Sequence, residues 1–340
     1  MPKFMPDELV KIGEKVLEAA GTPADKAGLV SGMLVDANLT GHDSHGIIRL
    51  KQYVNQIRTG LIDPVADPEL GIDYPSYAKV KGNRAFGQVA ARFGVNAAIE
   101  KAALNGMAMV GCCHMAHVGR LGDYVSMAAE SDLMALAICN GGGPNVAPYG
   151  GKQRILGTNP IACAVPIRDG QNIQIDFASA ATAEGKLNVA VNKKEKVKSG
   201  LIIGKAGNPT VDPNDFYNDG AILTIGEHKG SALSLLLEIF GGVFTGGGCS
   251  AFPNYLDGNG ILFFVMKPDL FRNRKDFETD VKLLSSKVTN SEAADGFREI
   301  YFPGQVEQEA YERLSENGIN LDDETWAAIR SIANELSVSI

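Results

Sequence analysis

Basic blocks, long apolar runs and a cysteine framework are all missing from this chain. The net charge is −8 with no run of lysines or arginines, which argues against nucleic acid or an anionic membrane surface as the main partner. The one basic cluster, Lys193, Lys194, Lys196 and Lys198, is short and reads as a solvated loop. Only five cysteines occur in 340 residues. None forms a Cys-x-x-Cys pair, so a disulfide framework is not expected and a reducing compartment fits. The longest apolar run, SALSLLLEIFGGVF (231–244), is broken by Glu238 and a glycine pair and is too short to span a bilayer. The stretch MPKFMPDELV (1–10) has no signal-peptide core. No G-x-G-x-x-G follows a strand. Gly246 and Gly248 come nearest but follow a helix, so an ordinary Rossmann domain is unsupported. A cytoplasmic enzyme is the expected class.

Apolar residues make up 45% of the chain and charged residues 21%, enough to build a substantial core in one large or two medium domains. The first eighty residues read as helices. Leu9, Ile12, Val16 and Ala19 form one apolar stripe, a second helix covers 23–38, and Leu50, Tyr53, Val54 and Ile57 mark a third. Further on the rhythm changes. A helix over 86–106 leads to a strand at 107–112, a helix at 119–131 and a strand at 133–139, a βαβ unit with parallel strands. Strands are expected at 161–167, 172–178 and 260–266, and helices at 277–287, 305–317 and 322–336. These elements make a mixed α/β core flanked by helices from both ends of the chain.

Two of the five histidines fall in GHDSHGIIRL (41–50). Asp43 or Ser44 is a good N-cap for the helix that follows. His45 and Arg49 are then four apart on one face, with Gln52 and Gln56 continuing it. Arg49 can grip a carboxylate through two parallel hydrogen bonds, and His45 can exchange a proton with a neighbouring hydroxyl. Together they suit a 2-hydroxy or 2-keto acid. The plain alternative is a capped helix with a wet polar face.

Three other stretches carry chemistry. CCHMAHVGRLG (112–122) follows a strand, which places His114 and His117 at the edge where open sheets bind ligands, and the glycines of NGGGPNVAPYGG (140–151) open on the same edge. Two cysteines and two histidines here also suggest zinc, although Cys112 and Cys113 alternate across a strand. That zinc-dependent hydrolase or lyase is the remote alternative; the expected site holds no metal. GEHKGSALSLLLEIF (226–240) sets Lys229 at a helix start, where a phosphate can dock. Asp176 ends an apolar strand and could orient a histidine.

These stretches resemble the malate/L-lactate dehydrogenase family of the second type, which is unrelated in fold to the Rossmann lactate and malate dehydrogenases. The similar segments are GHDSHGIIRL (41–50), GNRAFGQVAA (82–91), HVGRLGDY (117–124), GTNP (157–160), DFASAATAEGK (176–186), NPTVDP (208–213), HKG (228–230) and FPGQ (302–305), in order over nearly the whole chain. Hydroxycarboxylate dehydrogenase B-like members look nearest. The resemblance implies a non-Rossmann, three-layer α/β/α cofactor domain with a mixed sheet (79–272) and a helical domain built from residues 1–78 and 273–340. It implies hydride transfer between NAD or NADP and a small 2-keto or 2-hydroxy carboxylic acid, in a homodimer. Cyclic imino acid reduction or ureidoglycolate oxidation on the same scaffold is the alternative.

The implied catalytic residues are His45 beside Ser44, with Asp176 as the partner of the histidine and His117 as a second donor or the acid/base itself. Arg49 and Thr158 would meet the substrate. Asp176, Phe177, Ala178, Ser179, His228, Lys229, Gly304 and Gln305 would meet the cofactor. The chain departs from the family pattern at Ser231, where a tyrosine is usual, and in the Phe177–Ala180 segment.

Overall fold

The computed structural model describes the chain except residues 168, 169, 254, 256 and 257 and the side chain at 192. A short strand β1 (Lys3–Phe4) precedes helices α1 (Pro6–Ala19) and α2 (Ala24–Leu39), and α3 (Leu50–Arg58) follows. Leu9, Ile12 and Val16 of the expected α1 stripe are buried, but Ala19 is exposed and Leu17 is buried in its stead; on α3, Leu50, Tyr53 and Val54 are buried. They share a core with Ile329, Ile332 and Ala333 of α11 (Asp323–Glu335). Strand β1 pairs antiparallel with β12 (Ile319–Asn320), which ties the two ends of the described chain together.

Residues 69–81 are not helical. They form a hairpin, β2 (Glu69–Asp73) and β3 (Tyr77–Lys81), at one edge of a seven-stranded mixed sheet. The other strands are β4 (Met107–Met115), β5 (Met134–Asn140), β6 (Pro160–Val165), β7 (Ile173–Ala178) and β11 (Asn259–Met266), in the order β2-β3-β4-β11-β5-β6-β7. Helix α4 (Gly87–Asn105) is the crossover between the adjacent parallel strands β3 and β4. The expected unit β4–α5–β5, with α5 (Gly122–Glu130), exists. Its strands are not neighbours, however, because β11 runs antiparallel between them. Both therefore still point the same way, and their exit loops open on one edge.

Helices α4 and α5 cover one face of the sheet. The other face packs against α8 (His228–Leu237) and the π-helical turn Glu238–Val243 that continues it. With helices on both sides, β11 is buried along nearly its whole length, which explains its run of Ile261, Leu262, Phe263 and Val265. Between β7 and α8 lie α6 (Glu184–Lys193), the short α7 (Asn214–Tyr217) and a small sheet of β8 (Ile202–Ile203), β9 (Pro209–Thr210) and β10 (Ala221–Ile222) around their own apolar cluster. Helices α9 (Arg274–Thr289) and α10 (Gln305–Asn317) follow β11, and α10 packs on α2. Among the described residues no helix is long and apolar enough to cross a membrane.

Helix α4 approaches the sheet closely because its inner face is made of small residues, Ala90, Ala91, Gly94, Ala98 and Ala102. A Cβ on Gly94 would overlap the Cys112 sulfur and touch the Phe263 ring at 3.6 Å. Gly94→Ala is expected to lower the unfolding free energy by about 1–3 kcal/mol through overpacking, measured by urea titration. Adding Cys112→Ala should recover at least half of that loss; no recovery would place the strain elsewhere.

Candidate active site

The segment after α2 is not one capped helix. Residues Asp43–His45 and Ile47–Arg49 form two separate 3₁₀ turns with no side-chain cap, and α3 begins at Leu50. The break comes from Asn38 on α2. Its Oδ1 accepts from Ile47 N at 2.8 Å and its Nδ2 donates to Asp43 Oδ1 at 2.6 Å. A Cβ at Gly46 would overlap that amide, so only glycine lets the chain pass. His45 and Arg49 are thus brought together by turns, not by helical spacing.

Arg49 donates from Nε to the Ser44 carbonyl at 2.6 Å and from Nη1 to Gln52 Oε1 at 2.7 Å. This fixes the guanidinium; among the described residues nothing bonds its Nη2, and Nη1 keeps one N–H beyond the Gln52 bond. The His45 ring lies 5.6 Å from the His117 ring, centroid to centroid, at an interplanar angle of 29°. Its Nδ1 meets Ser44 Oγ at 3.0 Å. His117 Nδ1 meets the Tyr53 hydroxyl at 2.8 Å, and that hydroxyl accepts from Gln88 Nε2 at 2.7 Å. Among the described residues nothing bonds either Nε2.

This chain of bonds assigns protons. With Gln88 donating to the Tyr53 oxygen, Tyr53 can direct its own proton to His117 Nδ1, the arrangement in which Nε2 of His117 carries the ring hydrogen. Burial pushes the Tyr53 phenol up to about 12, which keeps that proton in place. Burial, reinforced by the Arg49 guanidinium, pushes His45 down to about 3. The same two causes, with His45 added, hold His117 well below its ordinary range. Both rings are neutral at neutral pH. Lys186, near the start of α6, also depresses His45, and its neighbour Gly185 sits against Ser44, with 3.4 Å from a built Cβ to Ser44 Cβ.

Tyr53 and Gln88 were not among the expected site residues. Tyr53 reads from sequence as part of an apolar stripe, and Gln88 as an ordinary helical position. The available signal was that a fully buried tyrosine hydroxyl needs a partner.

Asp176 does not orient His45. Its Oδ2 accepts from Gly122 N at 2.7 Å and lies 3.9 Å from Arg120 Nε. Burial raises its carboxyl against the pull of Arg120. Arg120 is itself buried and donates to Asp123 at 2.6 Å; burial lifts Asp123 to about 7 despite that guanidinium. The histidine that feels Asp176 is His42, not His45.

The remaining expected residues fall into two places. Thr158 donates from N and Oγ1 to Gly141 O at 3.0 and 3.3 Å. Ser179 is buried, and its hydroxyl is taken by Thr158 O at 3.1 Å. Ala178 precedes it at the end of β7, and Phe177 is exposed. An isolated bridge between Ala180 and Thr224 and a bond from Ile225 N to Ser179 O bring this segment beside the exposed His228–Lys229 start of α8. The backbone there is strained, with Glu227 at φ 57°. Gly304 and Gln305 lie elsewhere: Gly304 packs on Gln174, near the opposite end of β7, and its carbonyl accepts from Gln171. The zinc alternative lacks a ligand set, since Cys112 lies under Gly94 while Cys113 faces Gly247 across the sheet, and among the described residues no three His, Cys, Asp or Glu cluster.

A family model described as malate/L-lactate dehydrogenase matches residues 4–330. The malate/(S)-sulfolactate dehydrogenase of Methanothermus fervidus is 34% identical over 98% of both chains. Hydroxycarboxylate dehydrogenase B of Escherichia coli O157:H7 is 31% identical over 96% of this chain and 92% of its own. The solved structure of sulfolactate dehydrogenase from Methanocaldococcus jannaschii superposes with a TM-score of 0.90 at 32% identity, covering 99% of this chain and 98% of that one. Sequence and fold agree along almost the full length, and the chain belongs to the malate/L-lactate dehydrogenase family.

Proposed function

We propose that this protein is an NAD(P)-dependent dehydrogenase that interconverts a small 2-hydroxy acid and its 2-keto acid. The observation that carries this reading is the free end of the Arg49 guanidinium beside two neutral imidazoles, each with an open Nε2. A carboxylate held by Arg49 would place the neighbouring oxygen before those nitrogens. Residues fit for the cofactor are the exposed Phe177 with the Ala178–Ser179 strand end, and His228–Lys229 at a helix start that suits a phosphate. Bound there, the nicotinamide supplies or accepts the hydride at the substrate's second carbon. The low use of cysteine fits a cytoplasmic setting.

The two histidines take different parts. His117 receives a hydrogen bond at Nδ1 from Tyr53, so its Nε2–H is a fixed donor that polarises the substrate oxygen. Ser44 can either donate to or accept from His45, so His45 is free to gain or lose a proton and is the acid/base. It rests neutral, ready to take the hydroxyl proton in oxidation. In reduction the bound carboxylate offsets Arg49, the second cause of the low pKa after burial, and so favours the protonated form of His45.

The protein works as a homodimer in this reading. Helix α8 and the π turn expose Leu235 (55%), Leu236, Ile239, Val243 and Phe244 (60%) as one apolar stripe, larger than lone surface residues account for. A second copy would cover it.

NADH and NADPH oxidation with a panel of 2-keto acids tests the activity. His45→Gln should lose about 10²–10⁴ in kcat and with it the pH dependence of kcat. His117→Gln should lose about 10²–10³ and keep that dependence. Arg49→Ala should raise KM for the keto acid. Wild-type kinetics in all three variants would remove the mechanism.

The contribution of His45 and His117 to folding stability should fall as pH drops from about 6.5 toward 3, because the unfolded histidines take up protons that the folded ones exclude. The slope is at most about 1.4 kcal/mol per pH unit for each histidine. The difference in urea midpoint between His45→Gln and wild type should therefore shrink or reverse on acidification.

In sedimentation velocity the wild type should run as a dimer, and Leu235→Glu with Phe244→Glu should yield folded monomer. A wild type that is monomeric at high micromolar concentration would overturn the dimer.

A further inference from the structure

The π turn at the end of α8 carries a buried carboxylate that the mechanism above does not use. Glu238 is 1% exposed, and among the described residues no cation pairs with it. Its Oε1 accepts from Gly157 N at 2.9 Å and from Ser250 Oγ, and its Oε2 from Asn140 Nδ2 at 3.1 Å and Ser250 N at 3.4 Å. Burial alone would lift this carboxyl, yet the bonds from Ser250, Gly157 and Asn140 together hold it below the ordinary range. Burying an anion without a counterion is costly, so an apolar residue would be the easier choice for stability alone.

The donors lead to one place. Asn140 ends β5 and opens the glycine loop, where Gly142 and Gly143 have φ of 85° and 63°. Gly157 begins the segment whose Thr158 N and Asn159 Oδ1 clamp Gly141 from both sides, the latter at 3.2 Å. Asn159 also donates to Ser234 on α8, and Thr158 O holds the Ser179 hydroxyl. The turn itself is pressed onto the strand end: a Cβ at Gly241 would lie 2.6 Å from Asn140 N. Wide turns of this kind recur at functional sites.

We propose that Glu238 is a positioning residue: its carboxylate holds the glycine loop after Asn140 and the Gly157–Asn159 passage in the one geometry that seats the Ser179 strand end, through Thr158 O, beside the start of α8. It acts through the backbone and touches no ligand. The proposal rests on the dehydrogenase reading for its kinetic consequence, but not for its structural one.

Glu238→Gln keeps the shape and replaces one accepting oxygen by an amide that faces donors. Folded Glu238→Gln should show hydrogen exchange in peptides over 140–160 accelerated by about tenfold or more, with α4 unchanged. It should also show KM for the keto acid or Kd for the nicotinamide raised about 10–100-fold, with kcat affected less than KM. Where Glu238→Gln does not accumulate as folded protein, Ser250→Ala removes the hydroxyl donor to Glu238 Oε1 and should shift exchange and KM in the same direction. Folded variants with wild-type exchange over 140–160 and KM within twofold of wild type would overturn the proposal. A wild type that turns over no keto acid would instead sink the dehydrogenase reading, and the exchange measurement would still decide the role of Glu238.

Discussion

One amide side chain joins the two loops that leave the sheet at the pocket. Asn259, at the start of β11, accepts from Val118 N at 2.9 Å and donates to Asn140 O at 2.8 Å. The first loop carries His117 and the second carries the glycines. Gly141 must be glycine because a Cβ there would overlap the Asn259 amide. With β11 paired to β4 on one side and β5 on the other, that amide sets the spacing of the two exits. Buried polar contacts of this kind rigidify when every member is satisfied. Asn140, Asn159, Glu238 and Asn259 together make such a network along the edge of the sheet.

The pocket on the other side of His117 is organised by exclusion of charge. Tyr53, bonded to Gln88 and edge-on to Phe86, stands behind the His117 ring, and the Arg49 guanidinium lies close enough to reinforce burial in holding that ring neutral. A neutral histidine pair beside a fixed cation is poised for an anion. Asp123 and Asp176 lie around Arg120, where they compensate a buried guanidinium, and neither is among the groups that shift His45.

The periodic parts were legible in the sequence. Helices α1, α2 and α4 and strands β4, β5 and β7 follow from apolar spacing, and His45, Arg49 and His117 stand out as proton-handling groups at a strand exit and a chain turn. What failed to show is what depends on contacts far apart in sequence. Strand β2 is exposed throughout, and the alternation of β3, with Ala78 and Val80 inward, is only five residues long. The insertion of β11 between β4 and β5 is invisible to local pattern. The break at Gly46 depends on Asn38, and the bond partner of Asp176 is a backbone N–H at Gly122 set by the packing of α5. Tyr53 looked apolar because its ring is; only the fold shows where its hydroxyl points.

The place of β11 also bears on how the chain reaches this state. The strand at the centre of the sheet is translated after all its sheet partners, more than a hundred residues later than β5. Until it emerges from the ribosome, β4 and β5 face each other across a gap with their inner edges unpaired. Such edges invite pairing with other chains, and closing them requires contacts of large sequence separation, which slow folding. Helices α4 and α5 lie on the face of the sheet and leave those edges uncovered, so in that interval the inner edges of β4 and β5 gain no partner from the chain made so far.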